Sequence, residues 1–387
     1  WRTMNIDKDR QVIKTYNALS KLPLGRVQAR GWLREQLLRS KAGLGGHLDE
    51  LEPDMIARPY VDKSQMCLAN VGETTISPAN IPGFSSEISG TYWTGLVQLA
   101  FTLGDEELIA KTQRWVDAAL KNAEPDGYIG SYRKEDNRDE DYNAWGTNWG
   151  MRALLSFYEA TGRQDVLQAV HRSLSWFCDN WADHKTDYAA PTIIESMVVV
   201  YSLTGDGRLL RFCEDFLAWL GEHSHWPNDV KSLAGDSLHY NSMHVVAYGE
   251  NAKHPAIVYC ANGRADYLQA SVNGYEKALR KITQRTGAPV SNFEYIGPVS
   301  SVSETEYCNF ATFNHAYSWM SMITGDACWG DRMEKIVFNG AQGARKKDER
   351  AIAYMSAPNQ IRAVDDCLFG DERDDDVYAP CFYVACC

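Results

Sequence analysis

Apolar residues recur every three to four positions over most of the chain, the period of one face of an α-helix. One phrase repeats along it: an amphipathic stretch, a short turn carrying Gly and often Asp, and a second amphipathic stretch. The copies are LVQLAFTLGDEELIAKTQRWVDAAL around Gly104, ALLSFYEATGRQDVLQAVHRSLSWF around Gly162, MVVVYSLTGDGRLLRFCEDFLAWL around Gly205, AIVYCANGRADYLQASVNGYEKAL around Gly263 and YSWMSMITGDACWGDRMEKIVFNG around Gly325. Successive glycines lie 58, 43, 58 and 62 residues apart. Each copy reads as a helical hairpin in which Gly takes the left-handed turn that ends the first helix and Asp or Arg opens the second.

A repeat of this length signals an array whose units bury their apolar faces against their neighbours. A helix over 26–40, after Pro23-Leu24-Gly25, supplies a further element without a matching turn glycine. Six hairpins closing on themselves would form an (α/α)6 toroid, with an active site in the central cavity where the inner helices begin. The expected fold is therefore mainly α, a single toroidal domain over 1–387 with minor β elements. The connections 68–92, 124–146, 222–254 and 287–306 are rich in Gly, Pro, Asn and Asp, and loops this long in a compact domain are usually functional. Segments 350–356 (RAIAYMS) and 376–384 (DVYAPCFYV) read as short strands beside the barrel mouth.

Charge narrows the partner. With 39 basic against 51 acidic residues among 387, the formal charge is −12, which argues against nucleic acid or an anionic membrane surface. No run approaches the roughly 18 apolar residues of a membrane span. A soluble protein of the bacterial cytoplasm or periplasm is expected, with a homodimer as one possible assembly. The 12 Trp and 20 Tyr suit both a packed helical core and a cleft in which sugar faces stack on rings.

Two groups stand out among the ten cysteines. Cys67, Cys178, Cys213 and Cys260 sit in apolar or helical contexts typical of buried free thiols, whereas Cys381, Cys386 and Cys387 crowd the last seven residues. Together with Glu306 and Cys308, the terminal Cys386-Cys387 pair supplies three thiols and a carboxylate, a ligand set that zinc prefers. The plainer reading makes Cys308 a buried helix cysteine and the last two only a chain end.

Glu294, among Phe293, Tyr295 and Ile296, would have its proton affinity raised by desolvation, as a general acid needs. His239 and His244 offer hydrogen bonds to a substrate hydroxyl or, less naturally at that spacing, metal ligands. Trp145, Asn148 and Trp149, and Glu87 with Tyr92 and Trp93, are candidates for sugar stacking, although aromatic residues opening inner helices are more often core.

Pro23-Leu24-Gly25 through Gly31-Trp32-Leu33, Asp126-Gly127-Tyr128, the YEATG at 158–162, the LTGD at 203–206, the Glu-x-Cys of Glu306 and Cys308 and the terminal Ala-Cys-Cys resemble the β-L-arabinofuranosidase family of glycoside hydrolases over essentially the whole chain. The resemblance implies retaining hydrolysis with a zinc-bound cysteine as nucleophile. Carried over residue by residue, Cys386 attacks the anomeric carbon and Glu294 protonates the leaving oxygen and then activates water. Glu306, Cys308, Cys386 and Cys387 hold zinc, Tyr354 matches a tyrosine near the nucleophile, and His239 matches a cleft histidine. This chain has Val384-Ala385-Cys386-Cys387 where the family reads Cys-Ala-Cys-Cys, and Trp149 and Ala190-Pro191-Thr192 where the family places histidines. The metal and acid are kept while the sugar pocket differs. The family also continues past Cys-Cys into a closing helix and β-sandwich modules, so a fragment lacking them is expected.

The leading expectation is an exo-glycosidase acting on a terminal furanosidic or unusual plant or algal sugar. Two alternatives remain: a metal-independent toroidal hydrolase or lyase on uronic-acid sugars, and a non-catalytic carbohydrate-binding toroid with a structural zinc.

Overall fold

The computed structural model describes residues 15–51, 53–62, 82–131, 140–181, 185–226, 228–292, 294–350, 352–359 and 378–379. All five turn glycines take the left-handed conformation that the repeat predicts, with φ of 65° at Gly104, 72° at Gly162, 77° at Gly205, 73° at Gly263 and 71° at Gly325. An L side chain at these positions would be strained, which is why the repeat carries glycine there. After two of the turns an aspartate caps the next helix: Asp105 accepts from the Leu108 N–H and Asp206 from the Arg208 N–H.

The hairpins are α3 (Pro82–Leu103) with α4 (Glu106–Lys121), α5 (Glu140–Thr161) with α6 (Gln164–Asn180), and α7 (Ile193–Thr204) with α8 (Gly207–His223). A short α9 (Val230–Ala234) precedes α10 (Val245–Asn251) and α11 (His254–Asn262), which pair with α12 (Ala265–Lys281); α13 (Tyr307–Thr324) with α14 (Cys328–Lys335) completes the series. The first helix of each hairpin packs on the first helix of the next, α3 on α5, α5 on α7, α7 on α11, and α10 and α11 on α13. The sequences explain the layering. Helix α7 buries consecutive residues from Ile193 to Val198, so it is enclosed on every side, whereas α8 buries Leu209, Phe212, Cys213, Phe216, Leu217 and Leu220, a single stripe at helical spacing. Helices buried all round form the inner ring, and single-stripe helices form the outer one. The fold is the mainly α, α/α barrel that the hairpin repeat predicts.

At the seam of the ring, α1 (Gly31–Ala42) packs on α2 (Leu44–Leu51) and α3. The Trp32 ring meets Phe338 edge-on at 5.2 Å, and the Leu44 N–H donates to the Glu349 carbonyl at 3.0 Å. The first helix begins at Gly31 and not at residue 26, because Gly25 and Gly31 take φ of 85° and 57°, and a right-handed helix cannot run through such residues. The loops expected over 82–92 and 140–146 are likewise helix, the opening turns of α3 and α5.

Among the described residues, six two-residue strands dress the barrel mouth. β1 (Ser291–Asn292) pairs with β2 (Tyr295–Ile296), β3 (Thr305–Glu306) with β5 (Met355–Ser356), and β4 (Ile352–Ala353) with β6 (Tyr378–Ala379), all antiparallel. The strand segments expected at 350–356 and 376–384 are thus present in part. No helix among the described residues is long and apolar enough to cross a membrane. Of the cysteines expected to be buried thiols, Cys213 and Cys260 are buried and Cys178 is half-buried, and burial pushes the thiols of Cys178 and Cys260 up to about 12. Cys67 lies outside the described residues.

Candidate active site

An open cleft is lined by Glu87, Trp145, Tyr188, Ala189, His244, Val246, Ala247, Glu294, Glu306 and Cys308. Glu87 and Trp145 stand on the second turns of α3 and α5, Ala189 just precedes α7, His244 caps α10, and Cys308 is on the first turn of α13. The cleft therefore opens where the inner helices begin.

Glu294 is set by an unusual backbone. β1 and β2 form a hairpin that pairs Asn292 with Tyr295, and Glu294, in the turn between them, takes φ of 68°. Such turns favour Gly or Asn, so a glutamate in this conformation carries strain of order 1 kcal/mol, the kind that clusters at functional sites. The hairpin docks on the strand-like segment before α10: the Asn241 N–H donates to Ile296 O, the Ile296 N–H to Met243 O and the Val245 N–H to Glu294 O, at 2.8, 2.9 and 2.9 Å. This docking brings His244 beside Glu294, with His244 Nε2 3.7 Å from Glu294 Oε2. His244 Nδ1 accepts from the Ala247 N–H at 3.2 Å, so the neutral ring carries its proton on Nε2, facing the carboxylate. On the other side, the Tyr354 hydroxyl donates to Glu294 Oε1 at 2.6 Å.

Of the apolar enclosure expected around Glu294, Phe293 lies outside the described residues, and Tyr295 and Ile296 do not cover the carboxylate. The Glu294 side chain is 37% exposed, Tyr295 is exposed and Ile296 faces the core, because consecutive residues of the hairpin point to opposite faces. The carboxylate is held by polar neighbours.

Glu306 and Cys308 line the same cleft. Glu306 ends β3, its N–H donating to Ser291 Oγ at 2.6 Å, and the next N–H, of Tyr307, donates to the Tyr354 carbonyl at 2.8 Å. One strand pair thereby fixes Tyr354, Glu306 and Cys308 together. Glu306 and Cys308 are both buried, and a carboxylate and a thiol meeting at one cleft wall are donors that fit zinc. Cys386 and Cys387, expected to complete the set and to supply the nucleophile, lie outside the described residues.

The other expected ligand-contact residues fall elsewhere. His239 is exposed and does not line the cleft; His244, five residues on, does. Trp149 sits one turn below Trp145, their ring centroids 5.6 Å apart, with the Arg152 guanidinium 4.1 Å over its ring, and it is not among the lining residues. Tyr92 and Trp93 are core, the latter stacked on Trp115 at 5.0 Å, and Asn148 is buried, accepting from Ser196 Oγ at 2.6 Å.

Beneath the cleft lies a charged layer absent from the sequence-based expectation. Arg152 Nη2 reaches Glu195 at 2.5 Å and Glu250 at 2.6 Å, Lys253 Nζ reaches the same carboxylates at 3.3 and 2.5 Å, and His315 stands 3.4 Å from Glu195 and 4.0 Å from Glu250. Burial works to raise the Glu195 carboxyl, but Arg152, His315 and Lys253 together outweigh it and hold it down at about 2. Glu195, Glu250 and His315 bring three potential metal ligands within 4.8 Å of one another. Two cations already neutralise the two carboxylates, so a further divalent ion would find no net negative charge there; Glu306 and Cys308 are the better donors. A signal for this layer exists in the sequence: Glu195 interrupts the apolar run IIESMVVV, and Glu250 and Lys253 interrupt VVAYGENAKHPAIV.

A ring of helical hairpins with a carboxylate, a buried thiol and aromatic walls at its open end defines a toroidal carbohydrate-type cleft. The chain belongs to the β-L-arabinofuranosidase family GH127, whose catalytic-domain model matches residues 30–387. Its fold is similar to that of a GH127 β-arabinofuranosidase, with a TM-score of 0.71 and 17% identity over 89% of this chain and 58% of the other. A glycoside hydrolase aligns with a TM-score of 0.69 and 15% identity over 94% and 58%, and the GH127 β-L-arabinofuranosidase Ara127N from Geobacillus stearothermophilus T6 with 0.66 and 14% over 86% and 58%. The chain thus spans under two thirds of these relatives' length. No curated protein matches it in sequence.

Proposed function

We propose that the chain forms the catalytic barrel of a retaining exo-glycoside hydrolase that cleaves a terminal β-L-arabinofuranoside or a similar sugar. The carrying observation is Glu294: strained into the cleft, oriented by Tyr354 and His244, and facing the same cavity as Glu306 and Cys308. Glu294 donates its proton to the leaving oxygen as the Cys386 thiolate forms a bond to the anomeric carbon and the carbon–oxygen bond breaks. In the second step Glu294 takes a proton from water, the water oxygen bonds to the same carbon, and the carbon–sulfur bond breaks to restore the thiolate. Two displacements on one carbon retain its configuration.

Glu306 and Cys308, with Cys386 and Cys387, would hold zinc, which keeps the nucleophilic sulfur deprotonated near neutral pH. Tyr354 and the Nε2–H of His244 orient the Glu294 carboxylate through both steps. The described pair Tyr378–Ala379 supports the role of Cys386, because it lies against Ile352–Ala353, next to Tyr354, with seven residues left to Cys386.

The test is turnover of a chromogenic β-L-arabinofuranoside by the full chain, with zinc measured in parallel. Stoichiometric zinc, loss of turnover on chelation and loss in Cys386→Ala are expected. Turnover that survives Cys386→Ala removes the proposed nucleophile.

A further inference from the structure

We propose that Tyr295 is the stacking platform for the sugar ring on the leaving side of the bond that is cut, so that the site recognises a second, linked sugar as well as the terminal one. The inference rests on the reading above, in which Glu294 is the general acid. A general acid must reach the leaving oxygen. Whatever is attached to that oxygen therefore lies against the residues that surround the Glu294 carboxylate, and the next residue in the chain is a tyrosine 41% open to solvent.

Strand register fixes which way that ring points. Tyr295 is bridged antiparallel to His244, and residues directly opposite in such a pair put their side chains on one face, with Cβ atoms about 4.5–5.5 Å apart. His244 lines the cleft, its Nε2 3.7 Å from Glu294 Oε2, so Tyr295 stands on the cleft face, while the alternate residues Met243 and Ile296 turn into the core. The wall behind is aromatic as well. Tyr188 meets the His244 ring edge-on at 6.0 Å and packs on Trp226 at 5.2 Å. The backbone under Tyr295 is held on both sides, by the bonds of Val245 to Glu294 and of Ile296 to Met243. A rigidly carried ring costs little entropy when it meets a ligand. Its apolar face matches the C–H face of a sugar, and its hydroxyl can both donate to and accept from sugar hydroxyls. Tyr240, one residue before the Asn241 bond to Ile296, is exposed too, so two water-facing tyrosines stand where these segments dock.

The decisive comparison uses two substrates with the same terminal sugar: methyl β-L-arabinofuranoside, whose leaving group carries no ring, and a disaccharide in which that sugar is linked to a second L-arabinose. In Tyr295→Ala, kcat/KM on the disaccharide should fall about tenfold, the scale of one apolar face buried against a ring, while the methyl glycoside changes by less than about twofold. Tyr295→Phe keeps the ring and should hold the disaccharide within about threefold of wild type, the rest being one hydroxyl bond. The thermal midpoint of both variants should stay at the wild-type value, because the ring is exposed. An equal fall on both substrates, no fall on either, or a Phe variant as impaired as the Ala variant overturns the platform and leaves the glycosidase reading standing. A wild-type chain that cleaves neither substrate overturns that reading, and the platform with it.

Discussion

Two layers of the same barrel carry the same kinds of side chain and treat them in opposite ways. In the lower layer, Arg152, Glu195, Glu250 and Lys253 are buried, and every charge meets its opposite within 3.3 Å. In the upper layer, Glu87, Glu294 and Glu306 face a cleft that no lysine or arginine lines among the described residues, and Glu294 is 37% exposed. Charge pairing distinguishes a layer that holds helices in register from one kept available for a ligand. Polar residues in a barrel core are thus not a functional signal by themselves; carboxylates gathered at an open cleft are.

The contrast can be tested by mutating each layer and reading both activity and stability. The largest effect belongs to Glu294→Gln, expected to lower kcat/KM on a chromogenic furanoside by about 10²- to 10⁴-fold, the usual worth of a general acid, while the thermal midpoint stays nearly unchanged. A loss of stability comparable to that of core variants would place Glu294 in the structural layer instead. Glu250→Ala should behave in reverse. It leaves Arg152 and Lys253 short of a buried counter-charge and should cost about 3–5 kcal/mol in urea unfolding; a cost below about 1 kcal/mol would show that the lower layer is not what ties the inner helices together.

Acid should act on the lower layer first. Burial, with the nearby Lys253 and Arg152 charges, holds the His254 ring down at about 3, against the approach of Glu250 and Glu195. The unfolded histidine titrates near 6.5, so the unfolded chain binds the extra proton. Stability from this group is fully present above about pH 6.5 and falls by roughly 1.4 kcal/mol per pH unit as pH drops toward 3. The lowered Glu195 and Glu250 carboxyls have the same sign, their contribution being present above the ordinary carboxylate range and lost as pH falls. Chemical denaturation between pH 7 and 4 should show the slope, and His254→Asn should flatten it; an unchanged slope would assign the acid sensitivity elsewhere.

Smaller effects complete the contrast. Tyr354→Phe removes the 2.6 Å hydrogen bond to Glu294 and should lower kcat/KM about tenfold with little change in stability. Asp105→Ala, remote from both layers, removes the cap on Leu108 N–H and the 2.6 Å pair with Lys41, and should cost about 1 kcal/mol without touching KM.

Much of this architecture is legible in the residues. The five turn glycines, each at positive φ, mark the turns of the five repeated hairpins, and the apolar breadth of helices such as α7 and α8 separates inner from outer. Glu294, Glu306 and Cys308 stand out as acid, carboxylate and thiol, and the structure gathers them at one cleft. Less was legible where identity depends on direction. His239 and His244 are equivalent on paper, and only the docking of the 291–296 hairpin onto residues 241–245 turns the second toward Glu294 and leaves the first in solvent. Trp145 and Trp149 differ by one helical turn, which separates a cleft wall from a ring packed on Arg152.

The sequence alone determined the helical period, the glycine turns and the donor types, because these are local: a residue's backbone freedom and side-chain chemistry travel with it. Tertiary structure alone decided which donors converge, since Glu294 and Tyr354 are sixty positions apart and Arg152 and Glu250 ninety-eight. Contact between such distant residues is set by how the ring of helices closes, a property of packing that no local stretch of chain contains.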